Sequence, residues 1–359
     1  QTLIDLAGIG SIIYAPCAME LVFLLLAVSL LGALALLLWL LAARLGEPSG
    51  PRVTGLFIYP VKSCAETRLQ AAKVTARGFE GDRLFQCSDA DGKFCTPRED
   101  DKARLFHVRP TLADEGVLTL QAKGAREALT LDLAKVATKP VACDVLCAAS
   151  KIQLLDYGDA VAEWLARATG ISGVRLTGMP EDCDRPVLAN AKQGDPVPKP
   201  AAAPPPPVSL ADEAPFLLTS TESLADLNRR LRARGAPAVD MRRFRPNIVI
   251  SGLRAWEEDC LKRLRIDGVD FWAWQRCGRC KMTTVDRETL AHGPEPLATL
   301  STFRERANGQ RNFGMHLIPV DPLAAGAEPV RVGGAVEVLE FDEERRAEWQ
   351  RLFGPSSGK

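Results

Sequence analysis

The chain has 359 residues, 47% of them hydrophobic and 25% charged, with 45 Lys plus Arg balanced by 45 Asp plus Glu. This ordinary globular composition excludes a disordered, collagenous or disulfide-dense chain, and the balanced charge supplies no basic field for nucleic acid. Ten cysteines spread along the chain indicate reduced thiols facing a cytosol, and three histidines leave little scope for histidine-built metal chemistry.

In chain order, the first feature is an uncharged apolar run from Leu21 to Ala43, LVFLLLAVSLLGALALLLWLLAA. As a helix it would extend roughly 34 Å, enough for a hydrocarbon core of about 30 Å. A membrane span is expected at 21–43. Met19 stands in front of it as a natural start, and residues 1–18 are not rich in arginine as a transit peptide would be. Arg44 and Arg52 follow the run and no Lys or Arg precedes it, which predicts a cytosolic location for the rest of the chain.

Beyond the run, Arg52 to Tyr59 alternates as a strand does and stops at Pro60. Further strands are expected at 117–120, 129–133, 247–251 and 336–341. Asp267-Gly268 between short apolar segments predicts a hairpin with a type I′ turn. Two helices stand out. One opens with Asp159 as its N-cap, carries Val161, Trp164, Leu165 and Ala168 on one face, and stops at Gly170. The other has Thr219 and Glu222 as a capping box, a stripe of Leu224, Leu227 and Leu231, and Gly235 as its stop. Its end carries Arg229, Arg230, Arg232 and Arg234, read as a solvated face that complements the helix terminus, or as a dock for an acidic partner. The run PVPKPAAAPPPP at 196–207 reads as a surface insertion too poor in apolar side chains to pack. The expected divisions are 1–50 (anchor), 51–175 (β-rich region), 176–213 (Pro-rich insertion), 214–345 (catalytic core) and 346–359 (tail).

The sharpest local signal is Arg276-Cys277-Gly278-Arg279-Cys280 followed by Lys281. A CxxC pair is half a zinc site, a dithiol redox pair or two buried thiols, and Cys143 with Cys147 offers a CxxxC to complete a zinc set. The flanking cations lower the pKa of a neighbouring thiol and attract an anionic ligand. Other cations sit at similarly punctuated places: Lys62-Ser63 after a strand end, Asp82-Arg83 after a turn, and Arg245-Pro246-Asn247 entering a strand. Arg offers a planar fork to phosphate and Lys a point charge, while Ser and Asn add neutral hydrogen bonds.

Five stretches together, LFIYPVKSC (56–64), GDRLF (81–85), APFLLTSTESLADLNRRL (214–231), FRPNIVISG (244–252) and CGRCKMTTVD (277–286), resemble the MOSC-domain molybdenum enzymes, most closely the mitochondrial amidoxime-reducing component group. The likeness covers about residues 20 to 345. It implies an α+β fold with a β-rich, barrel-like MOSC core, an N-terminal MOSC β region and one N-terminal transmembrane helix. It implies a molybdenum–molybdopterin cofactor whose protein donor is the Cys280 thiolate, held by Lys62, Ser63, Arg83, Arg245, Asn247, Gly278 and Arg279, with Cys277 a structural partner or bystander.

The implied reaction reduces N-hydroxylated compounds such as amidoximes, N-hydroxyguanidines and hydroxylamines, with electrons from cytochrome b5 and its NADH-dependent cytochrome b5 reductase. The implied address is the mitochondrial outer membrane. Three places depart from the pattern: Glu213-Ala214 where the group often has Thr-Ser, Gly278 in place of a serine, and His316 in Phe313-Gly314-Met315-His316 where an aromatic Phe-Gly-x-Tyr is usual. Two alternatives are a cofactor- or sulfur-carrying MOSC module without reductase activity and a membrane-tethered zinc-binding adaptor using Cys277, Cys280, Cys143 and Cys147.

Overall fold

A computed structural model describes residues 29, 31–34, 36, 50–113, 116–188, 197, 204–321 and 328–354. The chain divides into two compact units, Gln1–Ser49 and Gly50–Lys359. Among the described residues, no helix is long and apolar enough to cross a membrane. This corrects the expected span at 21–43, together with the transmembrane helix in the fold class, the membrane attachment and the mitochondrial outer-membrane address that the resemblance implied. A crossing needs about 20 apolar residues in one helix. The described helical positions of that run are only 29, 31–34 and 36, and its remainder lies outside the described residues.

The second unit is α+β and is organised by an eight-stranded sheet. Its strands in chain order are β1 (Arg52–Ile58), β2 (Thr67–Leu69), β3 (Phe216–Ser220), β4 (Ile248–Ser251), β5 (Leu261–Ile266), β6 (Val269–Arg279), β7 (Arg311–Pro319) and β8 (Val336–Phe341). Their spatial order is β8-β5-β6-β7-β3-β4-β1-β2. Every pair is antiparallel except β3 with β4. Parallel neighbours need a crossover connection, and the helix Thr221–Ala233 supplies it. Leu56, Phe216, Leu218, Ile248, Phe271 and Leu317 fill the sheet's core. The second core, with Phe85, Leu118, Trp164, Leu165 and Leu176, joins a four-stranded and a three-stranded sheet to the helix Asp159–Thr169.

The local rules hold well. Asp267 and Gly268 both have positive φ (46° and 84°) and Ile266 pairs with Val269, as a type I′ hairpin demands. The second helix is capped one residue later than expected: Ser220, not Thr219, accepts the backbone N–H groups of Glu222 and Ser223 at 3.2 and 3.3 Å. Thr219 is still inside β3, its backbone committed to the ladder with Val249, so the next residue is the first able to turn into the helix. Most of the Pro-rich run lies outside the described residues. Its end is tied down, with Val187 N–H donating to the Pro206 carbonyl and Val208 N–H to that of Arg185, both at 2.8 Å.

Two irregularities in the β6–β7 ladder matter for function. The register shifts between Ala273 and Arg276 and again between Arg276 and Gly278. Bulges of this kind re-aim side chains. Here Arg276 turns to the buried Asp259 and to Glu348 of the helix Glu343–Phe353, whereas Cys277 and Arg279 line a cavity.

Candidate functional site

A cavity of about 240 Å³ opens where the loop after β1, the residues before β3, the entry to β4 and the end of β6 converge. All eight residues singled out from the sequence line it: Lys62, Ser63, Arg83, Arg245, Asn247, Gly278, Arg279 and Cys280. Sequence reasoning did not select Arg98, Asp212 and Arg243, which line it too, as do Cys277, expected as a structural partner or bystander, and Glu213 and His316, noted only as departures from the family pattern. Arg98 and Asp212 sit in segments without periodicity or a recognisable motif, so nothing local marked them.

One wall is built on Tyr59. Its ring carries the Arg245 guanidinium 4.1 Å and the Arg83 guanidinium 4.4 Å from its centre. Both arginines have left-handed backbones, φ 56° and 51°, which turn the chain sharply at the strand ends. Arg245 donates to the Cys64 carbonyl at 2.7 Å, and Arg83 pairs with Asp82 at 2.6 Å and reaches Asn247 Oδ1 at 3.2 Å. Burial together with the neighbouring Arg287 and Arg83 charges pushes Arg245 down to about 10, and burial pushes the Tyr59 phenol up to about 12. Asn247 ties two strands together, its Nδ2 donating to the Phe57 carbonyl and its Oδ1 accepting the Leu217 N–H, both at 3.2 Å.

Across the cavity, Lys62 Nζ lies 2.7 Å from Asp212 Oδ1. Burial holds the Lys62 ammonium below its ordinary value, and Asp212 opposes that shift. The half-exposed Asp212 carboxyl, in spite of the desolvation that opposes the shift, is held well below the usual carboxylate range by Lys62 and Arg98. Arg98 also donates from Nε to Cys280 Sγ at 3.4 Å. Cys280 is exposed and immediately precedes the turn Lys281–Thr284.

At the end of β6, Arg279 donates to Cys277 Sγ at 2.8 Å and to the Phe244 carbonyl. Cys277 also hydrogen-bonds His316, whose Nδ1 lies 3.4 Å from Glu213 Oε2. Burial raises the Cys277 thiol, but Arg279 and His316 outweigh it and the net shift is downward. Burial lowers His316, but the Cys277 sulfur and Glu213 outweigh it and the net shift is upward.

The cavity suits a polyanion. Six cationic side chains line it against two carboxylates, Asp212 and Glu213. Ser63 Oγ, in a residue only 1% exposed, and Arg279 Nε are buried without a hydrogen-bond partner among the described residues. Such atoms are costly unless a ligand meets them. A phosphate-bearing group satisfies them, and the Cys280 thiol supplies one soft metal donor beside it.

The four-cysteine zinc set is not assembled. Among the described residues no group of three or more His, Cys, Asp or Glu side chains is gathered to hold a metal ion. Cys147 lines the cavity with Cys277 and Cys280, but Cys143 is turned into the interior, bonded to Ser88 and Thr177. The basic end of the helix Thr221–Ala233 is partly self-neutralised: Arg229 and Arg230 pair with Asp226, and Arg230 also lies 3.9 Å over the Phe303 ring.

Residues 50–172 match the MOSC N-terminal beta barrel domain and residues 205–337 match the MOSC domain. The chain is 33% identical over 296 residues to mitochondrial amidoxime-reducing component 1 of Mus musculus, covering 78% of this chain and 81% of that protein. It is 31% identical over 335 residues to the Homo sapiens protein of the same name, covering 88% and 93%. It is 31% identical over 287 residues to the molybdenum cofactor sulfurase of Danio rerio, covering 76% of this chain but 32% of that protein. The chain belongs to the MOSC domain family and is related to its amidoxime-reducing components and molybdenum cofactor sulfurases.

Proposed function

We propose that the chain is a molybdenum-cofactor-dependent reductase of N-hydroxylated compounds, converting amidoximes, N-hydroxyguanidines or hydroxylamines to amidines or amines. Kinship with the amidoxime-reducing components supports an enzymatic, molybdenum-linked role in general. The observation that carries the finer reading is the convergence of the exposed Cys280 thiol, held by Arg98, with six cations on a single cavity, where Cys147 is the other exposed thiol.

In this reading the pterin phosphate is held by Lys62, Arg83, Arg245 and Arg279, with Ser63 and Asn247 adding neutral contacts and the Gly278 backbone leaving room beside them. Charge-assisted contacts of this kind are the strong ones. Cys280 gives the metal its one protein donor. The bound cofactor supplies the two-electron, oxygen-accepting chemistry, while the chain positions the reactants. Arg98, joined to both Asp212 and Cys280, fixes the donor loop against the cation wall. Tyr59 stays a neutral phenol at physiological pH, so its ring supports both guanidinium groups without adding charge. Electrons arrive one at a time from cytochrome b5, itself reduced by NADH-cytochrome b5 reductase, an assignment supported by the family resemblance.

The test is metal and pterin analysis of the purified chain, followed by benzamidoxime turnover with a chemical reductant. Molybdenum, pterin and benzamidine production are expected. Zinc instead of molybdenum, or a molybdenum-loaded chain that produces no benzamidine, overturns the reductase reading, the second result favouring a cofactor- or sulfur-carrying module.

A further inference from the structure

Two positions at which the sequence departs from the pattern it resembles, Glu213 and His316, meet in space. They lie on neighbouring elements: Glu213 just before β3, and His316 on β7, where Leu217 is its strand partner. Glu213 Oε2 is 3.4 Å from His316 Nδ1, and Gln275 of β6 donates to the same carboxylate oxygen at 3.1 Å. The imidazole is 7% exposed and bonded to Cys277, which is 8% exposed and receives Arg279 at 2.8 Å. Cys277, His316 and Glu213 all line the cavity that Cys280 lines.

We infer that Cys277 and His316 rest as a thiolate–imidazolium pair oriented by Glu213, and that His316 is the proton donor of the reduction. This rests on the reductase reading above. A buried imidazolium is stable only beside negative charge, and His316 has the Glu213 carboxylate 3.4 Å from its Nδ1 and the Cys277 sulfur as a hydrogen-bond partner, with Arg279 opposing. Reduction of an amidoxime breaks the N–O bond with uptake of two electrons and two protons and releases water. The cofactor, once bound, would supply the two electrons, replenished by the external donor. His316 gives one proton to the departing oxygen. Solvent gives the second and then recharges the imidazole. Glu213 and Gln275 act as positioning residues. The site therefore favours substrates whose leaving group is a hydroxyl oxygen, which needs protonation to depart as water.

The pair is tested without the cofactor by following iodoacetamide alkylation of Cys277, localised by mass spectrometry, in the full-length chain carrying Cys280→Ser. Alkylation should persist to pH values below the ordinary thiol midpoint of about 8.5. His316→Gln should slow it roughly tenfold at pH 6.5, and Glu213→Gln, a milder change at the rim, should slow it less. An alkylation profile that neither variant moves overturns the ion pair. In the loaded chain with otherwise native residues, His316→Gln should lower kcat about 100-fold and remove the alkaline limb of the pH profile, with KM within about twofold. An active wild type with an equally active His316→Gln overturns the proton-donor role and leaves the reductase reading standing. A loaded wild type without turnover overturns both.

Discussion

Arg98 Nε donates to Cys280 Sγ at 3.4 Å, joining two residues 182 positions apart in the chain. The same guanidinium reaches Asp212 at 3.3 Å, and Asp212 in turn pairs with Lys62. The thiol that the account assigns to the metal is thus coupled through one arginine to the wall assigned to the phosphate. Arg98→Ala should therefore weaken cofactor retention about tenfold, the scale of one charge-assisted contact. Cofactor remaining after dialysis, wild type against variant, checks this. Equal retention would separate the thiol loop from the anion wall.

Ser63→Ala should divide stability from function. The hydroxyl is buried without a partner among the described residues, so its removal should leave the melting temperature unchanged or raise it. Cofactor retention should fall by the same substitution. Thermal unfolding of the cofactor-free chain and pterin content of the loaded chain give the two readouts, and a fall in both would mean that Ser63 is structural.

A buried pair remote from the cavity governs alkaline stability. Glu258 accepts a hydrogen bond from Ser223 at 2.7 Å, and burial together with the adjacent Asp259 charge pushes its carboxyl up to about 8. The folded state therefore holds a proton that the unfolded chain releases near pH 4.5. The resulting stability is fully present below pH 4.5 and is lost as pH rises toward 8. Glu258→Gln should match wild type in melting temperature at pH 4.5 and exceed it at pH 9. Equal melting at both values would contradict the shift.

Gly314 is the close approach that lets β7 pass β3. Its φ is 84°, and a Cβ there would stand 2.5 Å from the Leu218 carbonyl oxygen. Gly314→Ala should destabilise the chain by about 1–3 kcal/mol in urea unfolding, the cost of a strained left-handed residue.

Much of the site was legible because it is punctuated locally. Lys62-Ser63 follows a strand stopped by Pro60, Arg245 precedes Pro246 at a strand entry, and the Cys277–Cys280 loop is dense in cations, so each announces itself within a few residues. The hairpin at Asp267-Gly268 was legible for the same reason. Arg98 and Asp212 were not, because they stand in loops whose neighbours are far off in the chain, nor was the Glu213–His316 contact, which depends on the pairing of β3 with β7. The surroundings of Cys277 were only half legible: one partner, Arg279, is two residues on, and the other, His316, is on a different strand. The apolar run at 21–43 shows the opposite limit, a composition signal that outran what the described helix supports.

X-ray absorption at the molybdenum edge of the loaded chain, compared with its Cys280→Ser variant, tests the central assignment most directly. One sulfur donor should be present in the wild type and missing from the variant, with the remaining sulfur shell unchanged. Identical sulfur coordination in the two proteins would contradict the account.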